Sequence, residues 1–188
     1  GSGIVGLTLT RELVRNIDNI EVDLFDKSGF PSKGPSLNNS GVLHAGLYYP
    51  PKTLKSKLCI EGAKLLKSYV KKRNLPYLNC GKILVPQNTL DNKNLINIHN
   101  NAINNNVDTH LIDYKQASKI QKEIIKKEFY LYSPNTSVFS SNKIIRQLIL
   151  ELEELNISFI KKKIIKVDGC KGHVFTKCKS KYKYDFIF

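Results

Sequence analysis

The chain has 188 residues, 41% of them hydrophobic, which is enough to bury one full core and part of a second. Its formal charge is +14, but 26 of its 30 basic residues are scattered lysines, and this dispersion argues against a nucleic-acid-binding surface. No apolar run reaches the roughly 18 residues of a membrane-spanning helix. The four cysteines form no Cys-x-x-Cys pair, which excludes a zinc site of that spacing and favours free thiols in a reducing compartment.

Both ends of the sequence resemble interior positions of a longer chain. The sequence contains no methionine and begins within a glycine-rich motif. It ends in the apolar run Tyr184 to Phe188, which is typical of a buried strand. We therefore expect a piece of a longer protein in which the first strand of the fold precedes Gly1.

The first elements predicted in chain order are a helix and a strand. Leu7 to Arg15 has helical periodicity, and its predicted core-facing residues are Leu9, Leu13 and Val14. Ile20 to Phe25 alternates apolar and charged residues as a strand does, and Asp26 follows it. Ser28 to Ser40 is rich in Gly, Pro, Ser and Asn, so we expect irregular structure there.

The later elements alternate between helices and strands. Thr53 to Lys72 is predicted as an amphipathic helix, and the residues predicted on or near its buried face are Leu54, Leu58, Ala63, Leu65, Leu66, Tyr69 and Val70. Further helices are predicted at Leu90 to Asn106, Tyr114 to Ile124 and Ser141 to Leu155, and strands at Gly81 to Pro86, Glu128 to Tyr132, Ile157 to Val167, His173 to Cys178 and Tyr182 to Phe188. This order predicts an α/β fold in which an inserted α+β domain interrupts a nucleotide-binding sheet.

The glycine motif predicts a dinucleotide site. Gly1, Gly3 and Gly6 have the Gly-x-Gly-x-x-Gly spacing, and the predicted helix follows at once, so its N-terminal amides face an anion in the turn. Asp26 ends the next predicted strand, 20 residues beyond Gly6, where a carboxylate accepts hydrogen bonds from a ribose. An acid there favours an unphosphorylated ribose, hence FAD or NAD.

The segment from Ser36 to Pro51 combines small hydrogen-bonding residues with His44, Tyr48 and Tyr49. Such a segment can lie against a flat ring and offer backbone amides to it. It can equally be a structural loop in which His44 makes one backbone hydrogen bond. The residues alone leave both interpretations open.

The run Asn39-Ser40-Gly41-Val42-Leu43-His44-Ala45-Gly46-Leu47-Tyr48-Tyr49 resembles the signature of the L-2-hydroxyglutarate dehydrogenases and oxidases. These are flavoenzymes of the D-amino-acid-oxidase-like superfamily. The likeness continues through Leu54 to Ala63 and Cys80 to Val85, and returns at Ser133 to Thr136. It thus spans nearly the whole chain in order.

The resemblance implies a Rossmann-like FAD-binding domain at residues 1–75 and 140–188, with a substrate or cap region at 76–139. It also implies that FAD is bound by Gly1, Gly3, Gly6 and Asp26. The residues it places beside the flavin are Ser36, Asn39, Ser40, Gly41 and His44. A later strand lends its backbone to the adenine in this superfamily, and Ile164 is the matching position.

The implied reaction oxidises a 2-hydroxy acid to the 2-oxo acid by hydride transfer to the flavin. His44 is the candidate base, since an imidazole titrates near neutral pH, although it could instead orient the flavin. Tyr48, Tyr49 and Lys82 could meet the carboxylates of an anionic substrate. The electron acceptor is not identified by the sequence, and both a cytoplasmic location and peripheral association with an inner membrane stay open.

Two departures from the family pattern bear on the substrate. The family usually has a histidine at the position of Asn38, and a glycine and an Asp-Tyr pair at the positions of Ser137 and Ser140-Ser141. Neither departure removes a glycine that FAD needs. Two alternatives therefore remain: a flavoenzyme of the same fold acting on an amine, amino acid or glycerol 3-phosphate, and an RNA-binding or RNA-modifying flavoprotein.

Overall fold

The fold is that of a computed structural model, which describes residues 1–30, 33–155 and 157–188. The described residues form five helices, α1 (Ile4–Asn16), α2 (Leu54–Lys72), α3 (Thr89–Asn104), α4 (Tyr114–Ile120) and α5 (Ser141–Glu153). They also form eleven short strands, β1 (Asp23–Phe25), β2 (Val42–Leu43), β3 (Tyr77–Leu78), β4 (Lys82–Leu84), β5 (His110–Ile112), β6 (Tyr130–Ser133), β7 (Ser137–Phe139), β8 (Ser158–Ile160), β9 (Ile164–Asp168), β10 (His173–Thr176) and β11 (Lys181–Lys183). Positions 31–32 of the predicted irregular segment lie outside the described residues.

The chain divides into two compact units. Unit 1 consists of Gly1–Ser40 and Ser141–Phe188, and unit 2 is the continuous segment Gly41–Ser140. These limits differ from the predicted domain boundaries at 75/76 and 139/140. The difference arises because α2 belongs to unit 2, where its Ile60 packs against the buried core residues Ala45 and Leu47. The assignment of functions to the predicted domains stays a prediction.

In unit 1, α1 packs against α5, and β1 pairs in parallel with β8. Leu7 and Thr10 are the buried residues of α1, and Arg11 Nε donates a 2.8 Å hydrogen bond to Glu151 of α5. The prediction that Leu9 faces the core is wrong, since 39% of its surface is exposed. Helix α1 begins three residues earlier than predicted, and its core-facing stripe is shifted accordingly.

The predicted strand Ile157 to Val167 is in fact two strands in two different sheets. β8 pairs with β1, whereas β9 pairs antiparallel with β10, which pairs in turn with β11. Lys162 lies between the two strands, and its amide donates to the Ile160 carbonyl at 2.9 Å. The chain therefore turns at the lysine run and leaves the parallel pair.

The end of the chain also departs from the prediction. The strand β11 ends at Lys183, and among the described residues the predicted buried strand to Phe188 is wrong because Phe186 and Phe188 are both exposed. Aromatic contacts hold the preceding segment to β1. The ring of Tyr182 meets that of Phe25 edge to face, with centroids 5.1 Å apart, and the Tyr184 hydroxyl donates to Asp23.

Unit 2 contains two three-stranded antiparallel sheets among its described residues, in the orders β2-β7-β3 and β4-β6-β5. Its main core combines residues from the segment after β2, from α3 and from β6: Ala45, Leu47, Leu95, Ala102, Val107 and Leu131. A second cluster consists of Ile112, Ala117 and Tyr130. The sequence analysis did not predict β2, β3, β5 and β7, each of which has two or three residues.

The two ends of unit 2 lie against each other. The Phe139 amide donates to the Gly41 carbonyl at 2.9 Å. Gly41 has φ +66°, and a Cβ there would stand 2.6 Å from the Phe139 carbonyl oxygen. Only glycine fits this position, since it alone adopts the left-handed conformation freely and leaves the approach open.

Helix α2 buries only part of the predicted face: Ala63 and Val70 are buried as expected, whereas the leucines predicted beside them are exposed. Its buried residues are Ser56, Ala63 and Val70, whereas Leu54, Leu58 and Leu65 are exposed by 70%, 56% and 72%. The buried residues recur every seven positions and are mostly small. Two stripes of the same helical period run along α2, and in this chain the one with the small residues faces the core.

Replacing a core residue of α5 provides a test of the packing in unit 1. Leu152 is fully buried on α5, whereas Leu150 on the same helix is 53% exposed. We expect Leu152→Ala to lower the free energy of unfolding by about 2–5 kcal/mol, because it leaves a cavity. Leu150→Ala should change it by less than about 0.5 kcal/mol. Urea unfolding measures both, and equal losses in the two variants would contradict this packing.

Candidate functional site

The glycine turn leads directly into α1, in unit 1. Gly3 is the N-cap residue and has no side chain to bond the first turn, so the side chain that accepts from the first amide of the helix comes from elsewhere in unit 1, at Ser36. A Cβ at Gly6 would lie 1.8 Å from the Gly1 carbonyl oxygen. Gly6 is therefore required where the turn folds onto the helix. A turn of this kind can hold a pyrophosphate.

Asp26 ties this turn to the end of β1. Its carboxylate is nearly buried and accepts hydrogen bonds from the Ser2 amide at 2.9 Å, the Ser28 amide at 2.8 Å and Ser28 Oγ at 2.7 Å. Burial raises the pKa of Asp26, but the hydrogen bonds from Ser28 and Ser2 outweigh it and lower the pKa to about 2. The side chain is thus a charged acceptor at neutral pH.

Ser36 and its neighbours complete the unit 1 part of the site. Ser36 Oγ accepts a 3.0 Å hydrogen bond from the Ile4 amide at the start of α1, and its carbonyl accepts from Asn39 Nδ2 at 2.8 Å. Ser36 thus supports the first turn of α1 directly. Ser40 is exposed and ends this segment of unit 1.

Ile164 lies elsewhere in unit 1, at the first position of β9. It is half-buried and pairs with Thr176, at the point where the register between β9 and β10 shifts. Such irregularities leave a backbone group out of the ladder. The proposed contact of Ile164 with an adenine stays a prediction.

His44 follows β2 in unit 2, in a loop that is held by buried residues. Ala45 and Leu47 are in the core, and Gly46 has φ +92° and approaches Ile60 so closely that a Cβ would lie 2.7 Å from Ile60 Cγ1. His44 and Tyr48 lie on either side of these three buried residues and are exposed. The loop therefore presents both rings from a fixed backbone.

The structure brings His44, Tyr48 and Lys82 together. The ring centroids of His44 and Tyr48 are 6.1 Å apart in an edge-to-face arrangement. Lys82, on β4, donates a hydrogen bond to the Tyr48 hydroxyl, and its Nζ lies 4.8 Å from the centre of the Tyr48 ring. We call these three side chains the histidine cluster.

The pKa of His44 is lowered from its usual value, first by burial and second by the positive charge of Lys82. The imidazole is therefore neutral at physiological pH. A neutral imidazole can accept a proton, which is the property that a general base needs.

Tyr49 is placed apart from the histidine cluster. Its ring lies under Lys55, with Nζ 4.6 Å from the ring centre, and its carbonyl accepts a 2.9 Å hydrogen bond from Asn105 Nδ2. A direct contact between Tyr49 and a substrate stays a prediction.

Two residues that the sequence analysis missed are Ser2 and Ser28. Both donate to Asp26, and Ser2 Oγ also donates to the Gly29 carbonyl at 3.2 Å. The signal for Ser28 was present, since a serine two residues after an aspartate is typical of a turn closed by the carboxylate. Ser2 gave no signal, because its buried amide acts through the backbone.

A third missed residue, Asn79, explains the Ser133 to Thr136 motif. Its side chain accepts from Ser137 Oγ at 2.8 Å and donates to the Pro134 carbonyl at 3.2 Å. It thereby closes the turn between β6 and β7. This part of the motif has a structural role in the turn.

The profile of the family described as DAO, FAD dependent oxidoreductase, matches residues 1–185. The chain belongs to this family. Its FAD dependence confirms the predicted cofactor. Relatives similar to the chain include the L-2-hydroxyglutarate dehydrogenase, mitochondrial, of Nematostella vectensis, 34% identical over 139 residues, and that of Homo sapiens, 33% identical over 128 residues. The matches cover 73% and 68% of this chain but only 30% and 26% of those proteins.

Solved structures confirm the α/β fold with a Rossmann-like FAD-binding domain. The L-alpha-glycerophosphate oxidase of Mycoplasma pneumoniae, with FAD bound, has a TM-score of 0.83 at 19% identity, over 94% of this chain and 47% of that one. The glycine oxidase of Geobacillus kaustophilus has a TM-score of 0.85 at 13% identity, over 97% and 51%. At these identities the likeness concerns the fold alone.

The described residues can also be compared with the requirements of a metal site and of a membrane-spanning helix. They contain no group of three or more His, Cys, Asp or Glu side chains placed to hold a metal ion. Within the same residues, no helix is long and apolar enough to cross a membrane.

The lowered pKa of Asp26 predicts a pH-dependent loss of stability. A carboxylate whose folded pKa is about 2 stabilises the fold above its unfolded pKa of about 3.9, and this contribution disappears as the pH falls through about 2. We expect Asp26→Asn to lower the Tm at pH 7, and the gap to wild type to shrink between pH 4 and pH 2. Thermal unfolding at pH 7, 4 and 2 measures the gap. Asp18→Asn, at an exposed position, is the control, and a gap that does not change with pH would contradict the assignment.

Proposed function

We propose that the protein oxidises a 2-hydroxy acid of the L-2-hydroxyglutarate type to the 2-oxo acid, with FAD as the hydride acceptor. The observation that carries this proposal is the histidine cluster, which combines a neutral imidazole with a cation and a phenol. The similarity to proteins named L-2-hydroxyglutarate dehydrogenase supports the substrate class. Because the chain spans about a third of those relatives, the activity is proposed for the whole protein.

The residues of unit 1 fit the pyrophosphate and ribose of FAD. Beyond the Ile4 amide, which Ser36 engages, the N-terminus of α1 offers amides and a positive dipole to the pyrophosphate. Gly1, Gly3 and Gly6 keep the turn free of side chains, and the ionised Asp26 has remaining lone pairs for ribose hydroxyls. Gly41 and His44 follow Ser40 in the chain, and we propose, from the resemblance, that this segment contacts the flavin.

Lys82 and Tyr48 fit the recognition of a substrate carboxylate. The Tyr48 oxygen already accepts a hydrogen from Lys82, so its own hydroxyl hydrogen remains available to a substrate oxygen. The lysine ammonium has two further hydrogens and one positive charge. Together they would bind one carboxylate through charge-assisted hydrogen bonds.

His44 would take the hydroxyl proton as the C–H hydride leaves the substrate. The electron pair of the broken O–H bond then forms the carbonyl of the 2-oxo acid. FAD supplies the two-electron acceptor for the hydride. Lys82 disfavours the imidazolium through its charge, so it keeps His44 in the form that accepts the proton.

The cellular setting is proposed from the thiols and the charge. All four cysteines, Cys59, Cys80, Cys170 and Cys178, are free, which favours a reducing compartment. We infer a location in the cytoplasm or peripherally at an inner membrane, with a small anionic substrate. The electron acceptor stays open, and the scattered lysines argue against nucleic acid as a partner.

Anaerobic reduction of the flavin in the whole protein tests the proposed reaction. L-2-hydroxyglutarate should bleach the yellow absorbance, whereas glycine, L-proline and glycerol 3-phosphate should not. His44→Ala should lower kcat about 10²- to 10⁴-fold while FAD is retained, because the general base is lost. His110→Ala, an exposed histidine of unit 2, is the matched control. Normal turnover in His44→Ala would exclude His44 as the base, and bleaching by another substrate alone would overturn the substrate class.

The pH profile tests the effect of Lys82 on His44. In wild type, kcat/KM should rise through a pKa below 6.5, since His44 acts as the neutral base and its pKa is lowered. Lys82→Gln removes a positive charge that disfavours the imidazolium, so this limb should move to higher pH. Part of the lowering should persist, because burial is the larger cause.

Lys64→Gln, on the exposed side of α2, removes the same charge elsewhere in unit 2 and should leave the limb unchanged. The pH dependence of kcat/KM for the three proteins measures the shift. A limb that stays in place in Lys82→Gln would contradict the electrostatic role of Lys82.

A further inference from the structure

A cavity in unit 2, away from the histidine cluster, lies where α2 begins and α3 ends. Its volume is about 470 Å³. We call it the α2 pocket, and its lining consists of Lys52, Thr53, Leu54, Ser56, Lys57, Ile60 and the three residues Asn104, Asn105 and Asn106. None of these belongs to the histidine cluster.

The charges around the α2 pocket are of one sign. Two lysines, Lys52 and Lys57, line it, and none of its lining residues is acidic. The N-terminal end of the 19-residue helix α2 also opens there, and it contributes the positive end of the helix dipole. Thr53 uses only part of this end, since its Oγ1 accepts from the Ser56 amide at 3.2 Å and its carbonyl from the Lys57 amide at 3.1 Å.

The hydroxyl of Ser56 is the second feature that points to a ligand. Ser56 is 2% exposed, and its side chain makes no hydrogen bond to the part of the chain that the structure describes. In that same part, every side-chain nitrogen or oxygen that is fully shut off from solvent has a partner. The little exposure left to Ser56 is therefore at its hydroxyl, which faces the pocket that Ser56 lines.

The wall of the α2 pocket combines polar and apolar surface. The asparagines stand at the end of α3, where the Asn105 amide group is already engaged by the Tyr49 carbonyl at 2.9 Å. Leu54 and Ile60 come from α2 and supply apolar surface. A ligand with a charged headgroup and a short carbon portion would match both.

The geometry points to an anion-binding site in the α2 pocket, separate from the proposed active site, for a small molecule that bears a carboxylate or a phosphate. The headgroup accepts from Ser56 Oγ and from the first amides of α2, and it is neutralised by Lys52 and Lys57. Neither His44 nor FAD takes part, so this site does not depend on the proposed reaction.

Isothermal titration of the FAD-loaded whole protein tests the site, with inorganic phosphate and succinate as probes. Chloride replaces each anion at constant ionic strength, and no hydroxy acid is present. We expect saturable binding of at least one anion with a Kd on the order of 1 mM. Ser56→Ala and Lys57→Gln should each weaken it about tenfold, because each removes a contact to a charged group.

Two controls locate the bound anion. Lys64→Gln removes a charge from α2 away from the pocket and should leave the affinity unchanged. Lys82→Gln disrupts the histidine cluster and removes any anion binding at the carboxylate site proposed there, so the binding that persists in Lys82→Gln is the binding assigned to the α2 pocket. The anion that binds more tightly identifies the headgroup. Binding of neither anion, or binding that Ser56→Ala and Lys57→Gln do not weaken, would overturn the proposal. A failure of turnover with L-2-hydroxyglutarate would leave these titrations unaffected.

Discussion

The hydrogen bonds that converge on Asp26 are the interaction on which unit 1 depends. One carboxylate oxygen holds the Ser2 amide within the glycine turn, and the other closes the turn at Ser28. The same side chain thus joins the start of α1 to the end of β1. Because Gly1 and Gly3 have no side chains to position the turn, the Asp26 carboxylate holds it at the Ser2 amide, and Ser36 holds the first amide of the helix. The acid that is proposed to bind a ribose therefore also builds the site.

In unit 2, the loop after β2 presents the side chains of His44 and Tyr48, which are proposed to act in the reaction, from a backbone that buried residues hold in place. The buried residues at positions 45 to 47 lie between the exposed His44 and Tyr48, so the core holds the middle of the loop and both rings stand at its exposed ends. Lys82 approaches from a separate sheet and changes both neighbours at once. It donates to the phenol and disfavours protonation of the imidazole. The charge of Lys82 would in this way serve both the proposed proton transfer by His44 and the proposed binding of an anion.

The features that the sequence predicted well are those determined by local chemistry. The glycine spacing, the acid after β1 and the helices with strong periodicity depend on residues close together in the chain. The face of α2 was predicted only in part: Ala63 and Val70 are buried, but the leucines are exposed, because both sets have the same period and only the partner surface chooses between them. The short strands β2 and β3 exist because β7 pairs with both, which no local pattern records. The association of Lys82 with Tyr48 likewise joins positions 34 residues apart.

The contact between Gly41 and Phe139 brings the two ends of unit 2 together. Its first residue, Gly41, and its next-to-last residue, Phe139, are joined by a backbone hydrogen bond, so the segment leaves and returns at nearly one point. An insertion with adjacent ends places little strain on its host, because the host must span only a short gap. Such a segment can be replaced as a unit by the corresponding segment of another family member. Exchange at residues 40–41 and 140–141 would then replace the proposed substrate-binding residues of unit 2, together with the flavin contacts proposed for Gly41 and His44, and would leave the glycine turn and Asp26 of unit 1 unchanged.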